Sequence, residues 1–254
     1  MNRVIKKSLV SHGMKGVILA GGLGTRLRPL TQITNKHLLP VYDKPMILYP
    51  LKTLTESGIA EIMIICGREY ASHFMNFLGS GRQYGARLSY AIQDKNDGGI
   101  ADALSYAEDF ADQSSVAVIL GDNIFEDNFT DAVKRFAGGS TGFFKKVRDP
   151  ERFGVPVFNI AGGRVMRIEE KPKRPKSHYA QVGFYLFDAG VFDSIRGLKP
   201  SARGQLEITD AVNHYISHKI FRHAFVKGFW ADVGTFDSLM RAAQWLERKS
   251  KITF

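Results

Sequence analysis

Apolar and polar positions along this chain recur at two different periods. Residues 15–20 (KGVILA), 61–66 (EIMIIC) and 116–120 (VAVIL) are short, nearly unbroken apolar runs, and the first and last of them end against Gly-Gly and Gly-Asp. Runs of this length read as strands covered on both faces. A further strand is predicted at 88–92. Between the strands the apolar residues fall at helical spacing. Met46, Leu48, Tyr49, Leu51 and Leu54 predict a helix starting at Pro45 and stopped by Gly58. Tyr70, Phe74 and Phe77 predict a second helix over 70–78, with all three in the core. A third is predicted over 100–110. Strand then helix, repeated at this pitch, predicts a parallel sheet with helices on both faces.

The pattern loosens after about residue 142. Strands are predicted at 142–147, 155–159, 165–170, 181–187 and 221–226, with fewer helices between them. Helices are expected at 206–218 and 236–249. No internal repeat or linker interrupts the chain, so residues 14–254 are expected to form one domain. Residues 14–140 would be its nucleotide-binding half and 141–254 the half for a second substrate.

A length of 254 residues with 44% hydrophobic and 24% charged positions describes a globular protein large enough to do without disulfide or zinc staples. The single cysteine, Cys66, excludes a disulfide framework and fits a reducing cytoplasm. It sits in a strand with no base nearby, which predicts an inert core thiol. No apolar run reaches the 18 or so residues that a membrane span needs. Residues 1–13 are basic and lack the apolar centre of a signal peptide, so a disordered N-terminal arm is expected there.

The net charge is +10, and residues 134–176 hold twelve Lys/Arg against four Asp/Glu. Such an excess suits a solvated surface, a nucleic acid or small polyanionic substrates. No zinc-finger spacing or RNP-like aromatic motif accompanies it, so no nucleic-acid or membrane partner is expected.

Ligands of open α/β sheets bind beyond the carboxyl ends of the strands. The first strand leads into Gly21, Gly22, Leu23, Gly24, Thr25 and Arg26. Glycines there let backbone N–H groups approach phosphate oxygens, and Arg26 adds a forked cation. The spacing is neither a dinucleotide fingerprint nor a P-loop, because Leu27 stands where a third glycine belongs and no Gly-Lys-Ser/Thr follows. Asp122 directly follows the fourth strand and reads either as a magnesium ligand or as a turn and helix cap. Asp232, before the terminal helix, carries the same two readings. At the end of another strand, alternation puts Glu169 and Lys171 on one face and Glu170 on the other, unless Pro172 breaks it at Lys171. His214 and His218 are four apart on a helix, but Tyr215 stands where a zincin needs glutamate, so they read as helix surface.

Taken together, residues 15–28 (KGVILAGGLGTRLR), 35–40 (NKHLLP), 43–46 (DKPM), 120–125 (LGDNIF), 149–155 (DPERFGV), 169–172 (EEKP), 200–210 (PSARGQLEITD) and 230–235 (WADVGT) resemble the motifs of the sugar-1-phosphate nucleotidyltransferases. The resemblance is strongest to the short-form glucose-1-phosphate thymidylyltransferases, which make dTDP-glucose for nucleotide-sugar and polysaccharide biosynthesis. It implies an α/β fold of the nucleotide-diphospho-sugar transferase type, a Rossmann-like mixed and mainly parallel sheet flanked by helices. It implies a reaction of glucose-1-phosphate with dTTP, dependent on Mg2+, in which pyrophosphate leaves. UTP or another hexose-1-phosphate is the alternative within that class. A non-catalytic NDP-sugar-binding subunit is the alternative outside it, and would be expected to have lost Arg26, Asp122 or Asp232. A homo-oligomer is left open.

The resemblance also implies roles. Leu19, Ala20, Gly21, Gly22, Gly24, Thr25 and Arg26 would hold the triphosphate, and Gln93 with Gly98 and Gly99 would read the base. Arg26, Lys36 and Lys171 would be the catalytic cations. Gly154, Glu170, Lys171, Gln181, Tyr185, Arg203 and Trp230 would bind the sugar phosphate, and Asp122 and Asp232 the metal. Four positions depart from the family pattern: an extra residue within 93–101, Asp102 for a common glutamine, Gln181 for a usual valine, and Gln205 for a usual glutamate. The phosphate and metal residues are unchanged, so sugar choice is what these departures put in question.

Overall fold

Unbroken Val/Ile/Leu runs can be buried on both faces only if helices cover the sheet from both sides, and the chain is built that way. The computed structural model describes residues 13–95 and 97–252, so the expected arm over 1–13 lies almost wholly outside the described residues. In chain order the first elements are β1 (Lys15–Ala20), β2 (Pro40–Val41), β3 (Lys44–Pro45), α1 (Leu48–Glu56), β4 (Glu61–Gly67), α2 (Ala71–Leu78) and β5 (Arg87–Gln93). Next come α3 (Ile100–Ser105), α4 (Glu108–Ala111), β6 (Val116–Leu120), β7 (Asn123–Phe125), α5 (Thr130–Lys134) and β8 (Ser140–Lys146). The remainder is β9 (Gly154–Phe158), β10 (Val165–Glu170), β11 (Tyr179–Phe187), α6 (Gly190–Arg196), α7 (Ile208–Ser217), β12 (Phe221–Phe225), β13 (Trp230–Asp232) and α8 (Phe236–Ile252).

The central sheet has seven strands in the order β12-β8-β11-β6-β1-β4-β5. The pairs β1–β4, β1–β6, β4–β5 and β8–β12 are parallel; β11 runs antiparallel to both of its neighbours. Strand alternation divides the interior in two. Val17, Leu19, Ile65, Val116 and Val118 pack with α3, α6 and α7 on one face. Ile18, Ala20, Ile64, Ala117 and Ile119 pack with α1 and α2 on the other. Cys66 is fully buried, which pushes its thiol up to about 11, so it stays protonated as expected of a core residue.

Three expectations are corrected. Pro45 does not start a helix. It lies in a β2–β3 hairpin turned at Tyr42, and the amides of Met46 and Ile47 bond back to Leu39 and His37, so α1 begins at Leu48. The predicted 100–110 helix is two short helices broken at Tyr106 and Ala107. Of the aromatic trio only Phe74 is fully buried; Tyr70 precedes α2 in a 3-10 turn, and Phe77 is exposed.

β7 and β13 were not predicted. Three residues each are too short to show a period, yet they decide the site. They pair antiparallel with Asp232 opposite Asn123, and rest on a small core of Val41, Met46, Ile124, Val233 and Ala242 under α8.

Candidate active site

The parallel strands β1, β5 and β6 end along one edge, and each delivers chemistry there: Gly21 after β1, Gln93 at the end of β5, and Asp122 after β6. The β7–β13 pairing brings Asp232 to Asp122, which sequence spacing alone could not do. The result is a cleft of about 280 Å³ whose walls include Leu19, Gly21, Gly22, Lys36, Gln93, Gly99, Asp122, Glu170, Lys171, Arg203 and Asp232. It continues into a smaller recess lined by Gly154, Glu170, Lys171, Gln181, Tyr185, Trp230 and Asp232, among others. The two cavities share Ile100, Leu120, Glu170, Lys171, Glu207 and Asp232.

At the junction, Lys36 donates to Asp122 Oδ2 at 2.5 Å, and both side chains are nearly buried. Asn35 caps the 3-10 turn carrying Lys36, its Oδ1 accepting from the His37 amide at 2.9 Å and touching the His37 ring at 2.8 Å. Burial holds the His37 imidazole down at about 3, so it is neutral. Gly24, in the left-handed region at φ 62°, packs so closely on Lys36 and Thr31 that a Cβ would meet both at 2.9 Å. The glycine loop is thus folded against the lysine.

Asn123 is fully buried and bonds in three directions. Its Nδ2 donates to Asp122 Oδ1 at 2.9 Å, and its Oδ1 accepts from Trp230 Nε1 at 2.7 Å and from the Gly183 amide at 3.0 Å. Sequence reasoning missed this residue. Its signal was only its place beside Asp122 after a buried strand.

The two aspartates are not equivalent. Burial, the largest single influence, would raise Asp122, but the Lys36 charge and the hydrogen bonds from Lys36 and Asn123 act together against it and hold the carboxyl well below the usual range. Asp232 is pushed up to about 6 by burial and then by the Asp122 charge. Its Oδ1 is buried and has no hydrogen-bond partner among the described residues. The cap reading fails for both: Asp122 bonds side chains, and Asp232 ends a strand with α8 starting four residues later. Arg26 is exposed at the rim, and its guanidinium comes so close to Gly234 that a Cβ there would lie 2.8 Å from it and 2.9 Å from Asp232 Oδ1.

At the far end, Glu170 Oε2 accepts from Thr209 at 2.6 Å, and its Oε1 accepts from Arg203 at 3.2 Å. Arg203 also donates to Glu207 at 2.8 Å. Thr209 and Glu207 are site residues that the sequence did not single out. The strand alternation does break at Lys171. This residue adopts φ 44°, is held by its amide to the Phe153 carbonyl at 3.0 Å, and stays beside Glu170, Nζ to Oε1 3.5 Å. Glu169 faces away, onto Arg167 and Lys176. Tyr185 is raised by burial and then by the charges of Glu170 and the two aspartates, so its hydroxyl is neutral. Gln181 is buried, and its Nε2 has no partner among the described residues.

Of the expected site residues, Ala20, Gly24, Thr25, Arg26 and Gly98 do not line either cavity. Ala20 is fully buried at the end of β1, Thr25 opens the exposed turn leading to Arg26, and Gly98 backs onto Asp102. His214 is exposed on α7 and His218 is exposed at its C-terminal cap, so both lie on the surface.

Two acidic oxygen donors beside a phosphate-sized glycine loop suit a hard divalent cation, which completes its shell with water and substrate phosphates. The unpartnered Oδ1 of Asp232 is a donor in want of such a ligand. Among the described residues no larger acidic or histidine cluster accompanies the pair.

Comparison with known proteins gives a consistent result. The family model described as nucleotidyl transferase matches residues 15–249. A glucose-1-phosphate thymidylyltransferase from Actinoplanes sp. is 46% identical over 239 residues, covering 92% of this chain and 78% of that protein. One from Mycobacterium tuberculosis is 45% identical over 244 residues, covering 93% and 84%. A structure from Bacillus anthracis, assigned to a glucose-1-phosphate thymidylyltransferase in complex with a sucrose, superposes with a TM-score of 0.87 at 47% identity, covering 92% of this chain and 95% of that one. A UDP-glucose pyrophosphorylase complexed with UDP-glucose superposes with a TM-score of 0.81 at 25% identity, covering 94% and 100%.

Proposed function

Because the chain belongs to the nucleotidyl transferase family, we propose that its cleft joins glucose-1-phosphate to dTTP, giving dTDP-glucose and pyrophosphate. The observation that carries this reading is the meeting of two half-sites at one pair of aspartates. One half, from Gly21 to Gln93, suits a nucleoside triphosphate. The other, from Glu170 to Gln181, suits a sugar phosphate.

A sugar phosphate oxygen is already ionised at neutral pH, so attack on the α-phosphorus needs no general base. The task is to place two anions against each other and to stabilise the charge that moves onto the leaving pyrophosphate. Lys171 holds the attacking phosphate, and its strained backbone points its amine back over Glu170. The amides of 21–24 and the Arg26 guanidinium receive the leaving side, where preorganised donors act on developing charge. Lys36 is released from Asp122 to a phosphate oxygen when substrate arrives. Asp122 and Asp232 would hold magnesium, which when bound would supply further charge neutralisation. Glu170, braced by Thr209 and Arg203, accepts from sugar hydroxyls. Trp230, fixed through Asn123, shapes that end.

Among the described residues no helix is long and apolar enough to cross a membrane. The single buried thiol suits the reducing cytoplasm, where both substrates would be found.

The test is pyrophosphate release over a matrix of sugar-1-phosphates and nucleoside triphosphates. Glucose-1-phosphate with dTTP is expected to turn over best. Absence of release with every pair, or a requirement for a purine triphosphate, would overturn the reading.

A further inference from the structure

Gln93 and Asp102 form a pair that determines which hydrogen-bonding group the cleft offers at the end of β5. Gln93 is buried at 4% exposure. Its Nε2 donates to Asp102 Oδ2 at 2.8 Å, with the Gly99 carbonyl farther off at 3.5 Å. Asp102 sits in the first turn of α3.

A carboxylate can only accept, whereas a carboxamide accepts on one side and donates on the other. Only one orientation of Gln93 avoids setting two acceptors face to face, so its NH2 group must point at Asp102. Its Oε1 is then turned the opposite way, against Gly21, where any Cβ would collide with it. Among the described residues no group donates to this oxygen, and it is not one of the fully buried unpaired atoms. It is an open acceptor on the wall formed by Leu19, Gly21, Gly22 and Gly99. A glutamine at position 102 would not impose this, because two carboxamides can pair in either sense.

We propose that Asp102 is a positioning residue for base selection. By locking the Gln93 amide, it makes Gln93 present an acceptor to the base and so select a ring N–H donor. The imide edge of thymine or uracil supplies that donor. Cytosine places an acceptor at the same ring nitrogen and is rejected, since two facing acceptors leave both desolvated and unpaired. The assignment rests on the reading of this cleft as a triphosphate site.

The test compares dUTP with dCTP, which share their sugar and phosphates and differ only in the group at C4 and the proton on N3. The readout is the ratio of their kcat/KM values at saturating glucose-1-phosphate. The wild-type protein is expected to favour dUTP strongly. Asp102→Glu keeps an obligate acceptor, and the ratio should stay within about 3-fold of wild type. Asp102→Asn can donate to Gln93 Oε1 and let the amide turn. Its ratio should fall by about 10-fold or more, mainly through a lower KM for dCTP. Asp102→Ala, which leaves the amide only the long contact to the Gly99 carbonyl, should fall likewise and serves if the asparagine variant does not fold. A merely structural role for Asp102 would lower the melting temperature and the turnover of both nucleotides together. An unchanged ratio in the folded variant, or a wild type indifferent between dUTP and dCTP, overturns the proposal. A wild type that fails with glucose-1-phosphate and dTTP overturns the reading of the cleft beneath it.

Discussion

Lys36 and Asp122 lie 86 residues apart in sequence and meet as a nearly buried ion pair, Nζ to Oδ2 2.5 Å. The lysine neutralises the aspartate where a divalent cation would otherwise do so. Lys36→Met should therefore leave Asp122 buried near Asp232 without the cation that pairs with it. Breaking such a pair from one side costs about 3 kcal/mol, and the melting temperature should drop accordingly. Magnesium added without nucleotide should restore more of this stability than it adds to the wild type. Equal magnesium shifts in the two proteins would show that Lys36 and the cation do not share Asp122.

Asp232 supplies a pH-dependent test. Burial and the Asp122 charge raise it from 3.8 to about 6, so its ionised form opposes folding. The sign follows directly: the penalty is full above about pH 6 and fades as pH falls toward 3.8. Asp232→Asn should abolish turnover yet stabilise the free protein by about 1–3 kcal/mol at pH 8. The gain should shrink toward zero at pH 4. Urea denaturation at the two pH values measures it, and a variant less stable than wild type at pH 8 would contradict the unfavourable placement of this carboxylate.

Gln181 combines a stability cost with a selectivity role. Its buried Nε2 has no partner among the described residues, a situation that costs about 1–3 kcal/mol. Gln181→Met keeps the volume and removes the polar group. The melting temperature should rise, and the ratio of kcat/KM between glucose-1-phosphate and an amino- or deoxy-hexose-1-phosphate should shift. A flat ratio across the sugars would remove Gln181 from substrate contact.

Arg26 is exposed, so its removal should leave stability nearly unchanged. It lies beside Gly234 and Asp232, and in the proposed mechanism its charge serves the leaving-group side. Arg26→Ala should lower kcat by a factor of about 100 or more, the usual loss for one preorganised charge on a transition state. Single-turnover kinetics would show the loss in the chemical step; an effect confined to KM for dTTP would assign Arg26 to binding only.

The sheet was legible because β1, β4 and β6 are buried on both faces and carry unbroken apolar runs. The ligand edge followed from the rule for strand ends. What stayed hidden depends on contacts distant in sequence. β7 and β13 are three residues each, and nothing local shows that Asp232 lies opposite Asn123. Lys36 was read as a phosphate cation, and its charge partner 86 residues away had no sequence signature. Pro45 misled because proline suits a first helical turn and also a hairpin edge. The Glu170–Lys171 pair was legible only through the proline that follows it, which warned that strand alternation could end there.

The account turns on which oxygen attacks which phosphorus. Glucose-1-phosphate carrying 18O in its three non-bridging phosphate oxygens, incubated with unlabelled dTTP and magnesium, tests this most directly by mass spectrometry and 31P NMR. The account predicts dTDP-glucose with all three labels on the sugar-bearing phosphorus, one of them bridging to the α-phosphorus, and pyrophosphate with none. Labelled pyrophosphate, or transfer of the γ-phosphoryl group with release of dTDP, would contradict it.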